Sequence, residues 1–278
     1  MIPIIDPHIH FFDLEKGQYH WLTGTNPPPW PNLSLIKANH HKAQLNNPTF
    51  LVKAIVHIEA GFNNDHPYQE LEWLEQTVPP LQYGAIAYLD ITLTPCLFSQ
   101  QLKTLAQSKC LRGIRDITEG NDAERLLHKH VQQNLATLSQ YQLHFEAQFE
   151  LHQHNIANQV AQYCIQLPNL QIILNHAGLI ESDKPYKKGV NTLSKCPNIA
   201  IKFSGIEHVI SPLEPHACLT LLLSYFGEDR VMFASNYPVC LMRQNYETVW
   251  LGYYGLVENE LLWQKLSHHN AKRLYRLK

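Results

Sequence analysis

Ile4-Ile5-Asp6-Pro7-His8-Ile9-His10-Phe11-Phe12-Asp13 is a short apolar run leading into two histidines two positions apart. In extended chain, alternate side chains point the same way. His8 and His10 then project together from one strand end, with Cα atoms roughly 6–7 Å apart. Two imidazoles so placed can share a metal or grip one polarised group. The same pattern also fits an exposed strand of no special chemistry. What separates the two readings is whether other strand ends bring polar residues to the same place.

The chain is long enough for one large domain: 278 residues, 45% hydrophobic and 17% charged, an ordinary globular balance. A formal net charge of −2, with no charge run and no basic stripe, argues against nucleic acid or an anionic membrane as partner. The six cysteines are scattered without a CxxC pair, so buried reduced thiols are expected. The first residues have neither a basic region nor a long apolar core, so no signal peptide is expected. No apolar stretch approaches the 18 or so residues of a membrane helix. The expectation is a cytoplasmic protein acting on a small molecule, with a homo-oligomer left open. Seventeen histidines are too many for all to be functional; each needs a structural position before it acquires a role.

After the first strand, Phe11–Pro48 reads as a long irregular connection, with Pro27-Pro28-Pro29-Trp30-Pro31 forbidding regular structure. Such a loop is either a lid over a site or an ordered decoration. From residue 50 strands and helices alternate. Strands are expected at Leu51–Ile58, Tyr83–Leu89, Leu111–Ile114, His144–Glu150, Leu170–Leu174, Ile199–Phe203 and Val231–Ala234. Helices are expected between most of them, including one long helix at Asp122–Tyr141 and a short one near Gly189–Lys195, with two or three more closing the chain. Eight β/α units in this length predict a distorted (β/α)8 TIM-like barrel over residues 1–278, with a long loop after strand 1 and extra C-terminal helices. The competing open, doubly wound sheet usually opens on a Gly-rich turn, and Asp6-Pro7-His8 is not one.

In a barrel, active residues sit at the carboxyl ends of the strands. Those ends carry His8, His10, Glu59, Asp90, Arg112, Arg115, Gln148 with His152 just beyond, His176, Lys202 with Ser204, and Asn236. Polar groups around one rim of an apolar barrel suit a small-molecule site. Arg115, Arg112 and Lys202 are candidates to bind a substrate carboxylate or a developing oxyanion; the plainer reading of each is an ion pair at the rim. Glu59 can bond a substrate hydroxyl, help hold a metal, or pair with an arginine. Tyr19, Trp21, Trp30 and Tyr237 are either apolar walls or packing beneath the long loop.

The segments DPHIHFFD (6–13), NHAG (175–178), KFSG (202–205) and FASNYPV (233–239), with the closing His269–Tyr275, resemble the amidohydrolase superfamily. They are most similar to its sugar-lactonase-like branch, which includes fuconolactonase- and rhamnonolactonase-type enzymes and 2-pyrone-4,6-dicarboxylate lactonase. The resemblance implies hydrolysis of an ester or lactone carbonyl by activated water. It places the first-strand HxH on His8 and His10 and the sixth-strand histidine on His176. If a divalent, zinc-like metal is bound, those three would hold it, although some lactonase relatives work without one. The family's eighth-strand aspartate falls on Asn236, and its usual fifth-strand histidine on Gln148. An amide has no useful basicity near neutral pH, so a base must be found elsewhere. His176 is the first choice, with Asn236 bonding the attacking water and a metal-bound water as the alternative source of base. Two further readings follow from the same residues: a metal-dependent decarboxylase, or a binding protein weakened in catalysis by Asn236.

Overall fold

The computed structural model describes residues 1–180, 183–206 and 214–278. The strands are β1 (Ile2–Ile9), β2 (Phe50–Ile58), β3 (Gln82–Tyr88), β4 (Leu111–Arg115), β5 (His144–Ala147), β6 (Ile172–Leu174), β7 (Ile199–Phe203) and β8 (Val231–Phe233). They form one sheet in sequential order, every neighbouring pair parallel. With helices between them, this is the expected (β/α)8 barrel. The strands are buried on both faces because the helices cover the outside and side chains fill the inside.

The distortion lies at the seam between β8 and β1. No strand ladder joins them. Beyond the end of β8, Ile9 bridges Tyr237 and His10 N–H donates to the Tyr237 carbonyl at 2.7 Å. Between these points a side chain does the work of a ladder. Asp6 Oδ1 accepts from Ser235 N–H at 3.1 Å and from His8 N–H at 3.2 Å. The register of β1 on β2 slips between Asp6 and Ile9, around Pro7, which has no N–H to give. Such bulges re-aim side chains, and here the slip takes in His8 and precedes His10. β1 runs to Ile9, so His8 lies within it and His10 at its carboxyl end.

The amino end of the barrel is plugged from below. Ala271, Leu274, Tyr275 and Leu277 pack in one cluster with Ile5, Val56, Ile86, Ile173, Ala200 and Met232. Asn270 donates to the carbonyls of Glu228 and Val231, fixing this segment under β8. The closing helices are one continuous run, Glu260–Gln264, a wider π-turn at Lys265–His269, and Asn270–Leu274.

The long connection after β1 holds only single helical turns, at His20–Thr23 and Leu33–Ile36, and a 3-10 turn at Lys42–Leu45. It is pinned closely to the barrel mouth. Phe12 and His40 exchange backbone bonds, Tyr19 N–H donates to Gly61 O, and Trp21 Nε1–H donates to Ala60 O at 2.7 Å. Gly61 has φ +75°, and a Cβ there would meet the Trp21 ring at 2.9 Å, so only glycine lets the tryptophan seat. One expected helix is divided. Instead of Asp122–Tyr141, a 3-10 segment at Gly120–Leu127 precedes a helix at Val131–Gln140. The first part is drawn to the barrel mouth, where Glu150 accepts from Gly120 N–H and Arg125 pairs with Asp90 and Asp116. The short helix expected near Gly189–Lys195 is longer, Asp183–Ser194. None of the six cysteines is in a disulfide, and among the described residues no helix is long and apolar enough to cross a membrane.

Asp6→Ala leaves two buried N–H groups at the seam without an acceptor. It is expected to lower the unfolding free energy by about 2–4 kcal/mol, and Asp6→Asn, which keeps an acceptor oxygen, by clearly less. Chemical denaturation of the two variants checks the order.

Candidate active site

A cavity of about 560 Å³ opens at the carboxyl ends of the strands. Its buried polar lining comes from His10 at the end of β1, Glu59 after β2, Arg115 at the end of β4, Gln148 after β5 and Asn236 after β8, joined by the half-buried His176 after β6. His10 and His176 line it, and His8, fully buried and not part of the lining, lies directly behind them. His8 Nε2 and His10 Nε2 lie 3.1 Å apart, and the His8 and His176 ring centroids are 4.6 Å apart. His176 and Asn236 both have left-handed backbones, φ 51° and 57°. That conformation is uncommon for side-chain-bearing residues and is often found at functional positions.

The motif segments acquire physical reasons. In KFSG, Lys202 and Ser204 face inward from β7 and back two imidazoles: Lys202 Nζ lies 3.2 Å from His8 Nδ1, and Ser204 Oγ lies 3.0 Å from His176 Nδ1. Gly205 leaves room for His176, whose ring atoms would lie 3.1–3.2 Å from a Cβ there. In NHAG, Asn175 donates to Gln148 Oε1, and Gly178 admits the Leu151 side chain, which would overlap any Cβ. In FASNYPV, Ser235 meets Asp6 at the seam and Tyr237 carries the bridge to Ile9.

Arg115 is largely committed inside the site. Its Nε and Nη2 lie 2.8 and 2.7 Å from Glu59 Oε1, its Nη2 also donates to Glu59 O, and its Nη1 to Gln148 Oε1. Of the five guanidinium N–H groups, one on Nη1 is left for a ligand. Despite this pairing, burial pushes the Glu59 carboxyl up to about 7. His8 and His10 are pushed well below the ordinary imidazole range, first by burial and then by neighbouring positive charge, Lys202 for His8 and Arg115 for His10. Both rings are therefore neutral near pH 7.

Four of the expected substrate-binding residues are not in the cavity. Arg112 sits at the opposite end of the barrel, three residues before Arg115 on a strand. It donates to the Lys109 and Leu111 carbonyls and lies beside Leu277. Lys202 is fully buried beneath the histidines rather than open at the rim, paired with Glu146 at 2.5 Å. Tyr237 is buried at the seam, bonded to His40 Nδ1 at 2.7 Å. His152 lies past the point where the chain leaves the rim, its neighbour Leu151 tied to Gly178. Trp21 does line the cavity and stacks obliquely on Trp30, while Tyr19 is packing beneath the loop. The cavity also takes in Tyr88, Asp116, Glu119, Arg125, Met242 and Arg243, none of which was expected. Asp116 follows Arg115 directly and was within reach of the strand-end rule. Arg125, on the 3-10 segment, and Arg243, after the turn following β8, lie on connections whose paths nothing in the local sequence reveals.

The polar partners of His8 and His10 assign their tautomers. The Lys202 ammonium has only protons to give, so His8 Nδ1 presents a lone pair and its proton is on Nε2. His10 Nδ1 lies 2.9 Å from Ile58 O, a pure acceptor, so His10 carries its proton on Nδ1. The 3.1 Å contact is then His8 Nε2–H donating to His10 Nε2. A divalent ion between these atoms needs two lone pairs, and would turn a His8 N–H toward an ammonium. Asn236 adds no charge, and among the described residues no three His, Cys, Asp or Glu side chains are grouped to hold a metal. The residues as arranged do not fit a divalent ion, and no step below passes through one.

A parallel barrel with clustered imidazoles at its carboxyl rim is the architecture of an amidohydrolase-type protein. The chain belongs to the amidohydrolase family: the family model described as Amidohydrolase matches residues 5–277. The protein y4mH of Sinorhizobium fredii, itself uncharacterized, is 29% identical over 307 residues, covering 99% of both chains. An amidohydrolase of Burkholderia multivorans, at 20% identity and 99% coverage of each chain, superposes with TM-scores of 0.77 with bound HEPES and 0.76 with bound zinc. A protein of Pseudomonas putida described as a 2-pyrone-4,6-dicarboxylic acid hydrolase gives 0.73 at 20% identity, covering 99% of this chain and 98% of its own. At these identities the solved structures establish the fold and nothing narrower.

Because the folded Glu59 carboxyl titrates near 7 against an ordinary 4.5, the native state binds more protons than the unfolded chain between those values. Its contribution to stability is present below pH 4.5 and lost as pH rises through 7. Glu59→Gln is expected to remove a downward slope of up to ~1.4 kcal/mol per pH unit in that window, read from denaturation midpoints at pH 4.5, 6 and 7.5.

Proposed function

We propose that this protein hydrolyses a small lactone bearing a carboxylate. The observation that carries the reading is the meeting of His10, His176, Asn236 and the spare Arg115 N–H in one cavity, with the buried His8 ring directly behind the two imidazoles. Neutral imidazoles can move protons near pH 7, and fixed donors around a carbonyl stabilise the oxyanion that forms on attack.

In the proposed reaction the lactone carbonyl oxygen enters the cavity beside His10 and accepts from Arg115 Nη1–H. His8, buried behind the lining, donates Nε2–H to His10 Nε2 and holds that ring in place. Asn236 holds the attacking water through its carboxamide. His176, oriented by Ser204, accepts a proton from that water as the new C–O bond forms. The tetrahedral intermediate collapses with cleavage of the ring C–O bond, and His176 returns the proton to the leaving alkoxide, giving a hydroxy acid.

The cavity walls favour a substrate with an apolar face over a bare sugar. Trp21, Trp30, Leu179, Val239 and Met242 line it above the polar floor. The carboxylate is assigned by Arg243. It is exposed at the cavity rim, and no ion pair or side-chain hydrogen bond occupies its guanidinium among the described residues, whereas Arg115 and Arg125 are both paired with acids. A free guanidinium fork matches a carboxylate.

His176→Ala is expected to lower kcat/KM for lactone opening by about 10²–10⁴-fold while circular dichroism stays unchanged. The assay is acid release with a pH indicator; carbon dioxide release without acid would assign a decarboxylase instead. Arg243→Gln is expected to raise KM about ten-fold for carboxylated lactones, the loss of one charge-assisted pair, and to leave neutral lactones unaffected in the same assay.

A further inference from the structure

The barrel interior contains an ionic chain that the reaction above does not explain. Tyr275, from the C-terminal plug, donates its hydroxyl to Glu146 Oε1. Glu146 Oε2 accepts from Lys202 Nζ at 2.5 Å, and the same ammonium reaches His8 Nδ1 at 3.2 Å. Tyr275, Glu146, Lys202 and His8 are all fully buried. Bringing an ammonium and a carboxylate into such a place costs several kcal/mol each, which their attraction only partly or barely returns. A leucine and a methionine at these positions would fill the barrel more cheaply. Its stability therefore does not account for the pair; its effect on His8 does.

We propose that Lys202 is a positioning residue that fixes the tautomer of His8, so that the His8–His10 pair is a directed N–H···N couple that sets the cavity-lining His10 ring and not a metal chelate. The ammonium does two things through one contact. It forces the His8 proton onto Nε2, the atom facing His10. It also stands behind that N–H as a fixed positive charge in a site closed to water, where charge acts strongly. Glu146 and Tyr275 hold the ammonium in place: the carboxylate keeps the buried lysine charged, even though burial lowers Lys202 to about 8. Loss of the ammonium frees His8 to carry its proton on Nδ1, and the two Nε2 lone pairs, 3.1 Å apart, become available to a divalent ion.

Only the kinetic part of this inference rests on the lactonase reading. Its test therefore includes two measurements that need no substrate. The variants are Lys202→Met and the double variant Lys202→Met/Glu146→Gln, the second avoiding a stranded carboxylate while keeping the Tyr275 bond. Long-range ¹H–¹⁵N correlation on the wild type should show His8 protonated on Nε2 and unprotonated on Nδ1. Calorimetric titration with zinc chloride should show at least ten-fold tighter binding to the double variant than to the wild type. kcat for lactone opening should fall about 10²-fold or more, with KM moving far less, the mark of an effect on the transition state. A wild-type His8 protonated on Nδ1 overturns the proposal whether or not the variants fold. A folded double variant with unchanged zinc affinity and unchanged kcat overturns it as well. Wild-type protein that opens no lactone, but shows the expected tautomer and zinc response, overturns the proposed function and leaves the Lys202 assignment standing.

Discussion

Closure of this barrel depends on one carboxylate. Strand β8 is three residues long and shares no ladder with β1. Asp6 bonds across the gap to Ser235 and back to its own strand at His8. That single acceptor sets where the first strand lies against the last, and so where the first two histidines lie against Asn236. Its burial pushes the carboxyl up to about 6, the cost of using a charged group as mortar. A regular ladder would be cheaper, but it would not allow the slip around Pro7 that takes in His8 and precedes His10.

From that seam the site is assembled by a simple division of labour. Strand ends supply the floor: β1 His10, with His8 behind it, β4 the arginine, and the turns after β6 and β8 a second lining histidine and the amide. Inward-facing residues one level down orient the floor: Lys202 behind His8 and Ser204 behind His176. Loops supply the walls, with Trp21 and Trp30 from the connection after β1 and Val239 and Met242 from the turn after β8. The two loops are tied by Asn32 Nδ2–H to Met242 O at 3.1 Å. The chemistry therefore sits on rigid elements, and the surfaces that choose a substrate sit on segments free to differ in shape.

Much of this was legible in the chain. Alternating β and α patterns located all eight strands to within a few residues, and of the residues the strand-end rule named, His10, Glu59, Arg115, Gln148, His176 and Asn236 line the cavity, while His8 lies behind it. The same rule misplaced Arg112 and Lys202 for one reason. A strand is several layers deep, and periodicity tells which face a residue takes but not its height in the barrel. Arg112 enters at the floor of β4; Lys202 sits one layer below the rim. Tyr237 was drawn into the seam, a feature with no local signature because it depends on how far β8 fails to reach. Glu146 shares a strand face with Gln148, yet its partner Tyr275 comes from the end of a helix whose docking only the closed barrel defines. Arg125 and Arg243 reach the cavity because their loops fold back over it, a tertiary outcome.

The plug beneath the barrel reaches the reactive centre from the far side. Ala271, Leu274, Tyr275 and Leu277 close the well under Glu146, and the Tyr275 hydroxyl holds the carboxylate that holds the ammonium behind His8. Packing at the amino end of the barrel is thereby coupled to the imidazoles at its mouth, and a cavity opened in the plug admits water to the ion pair without touching any group that meets a substrate.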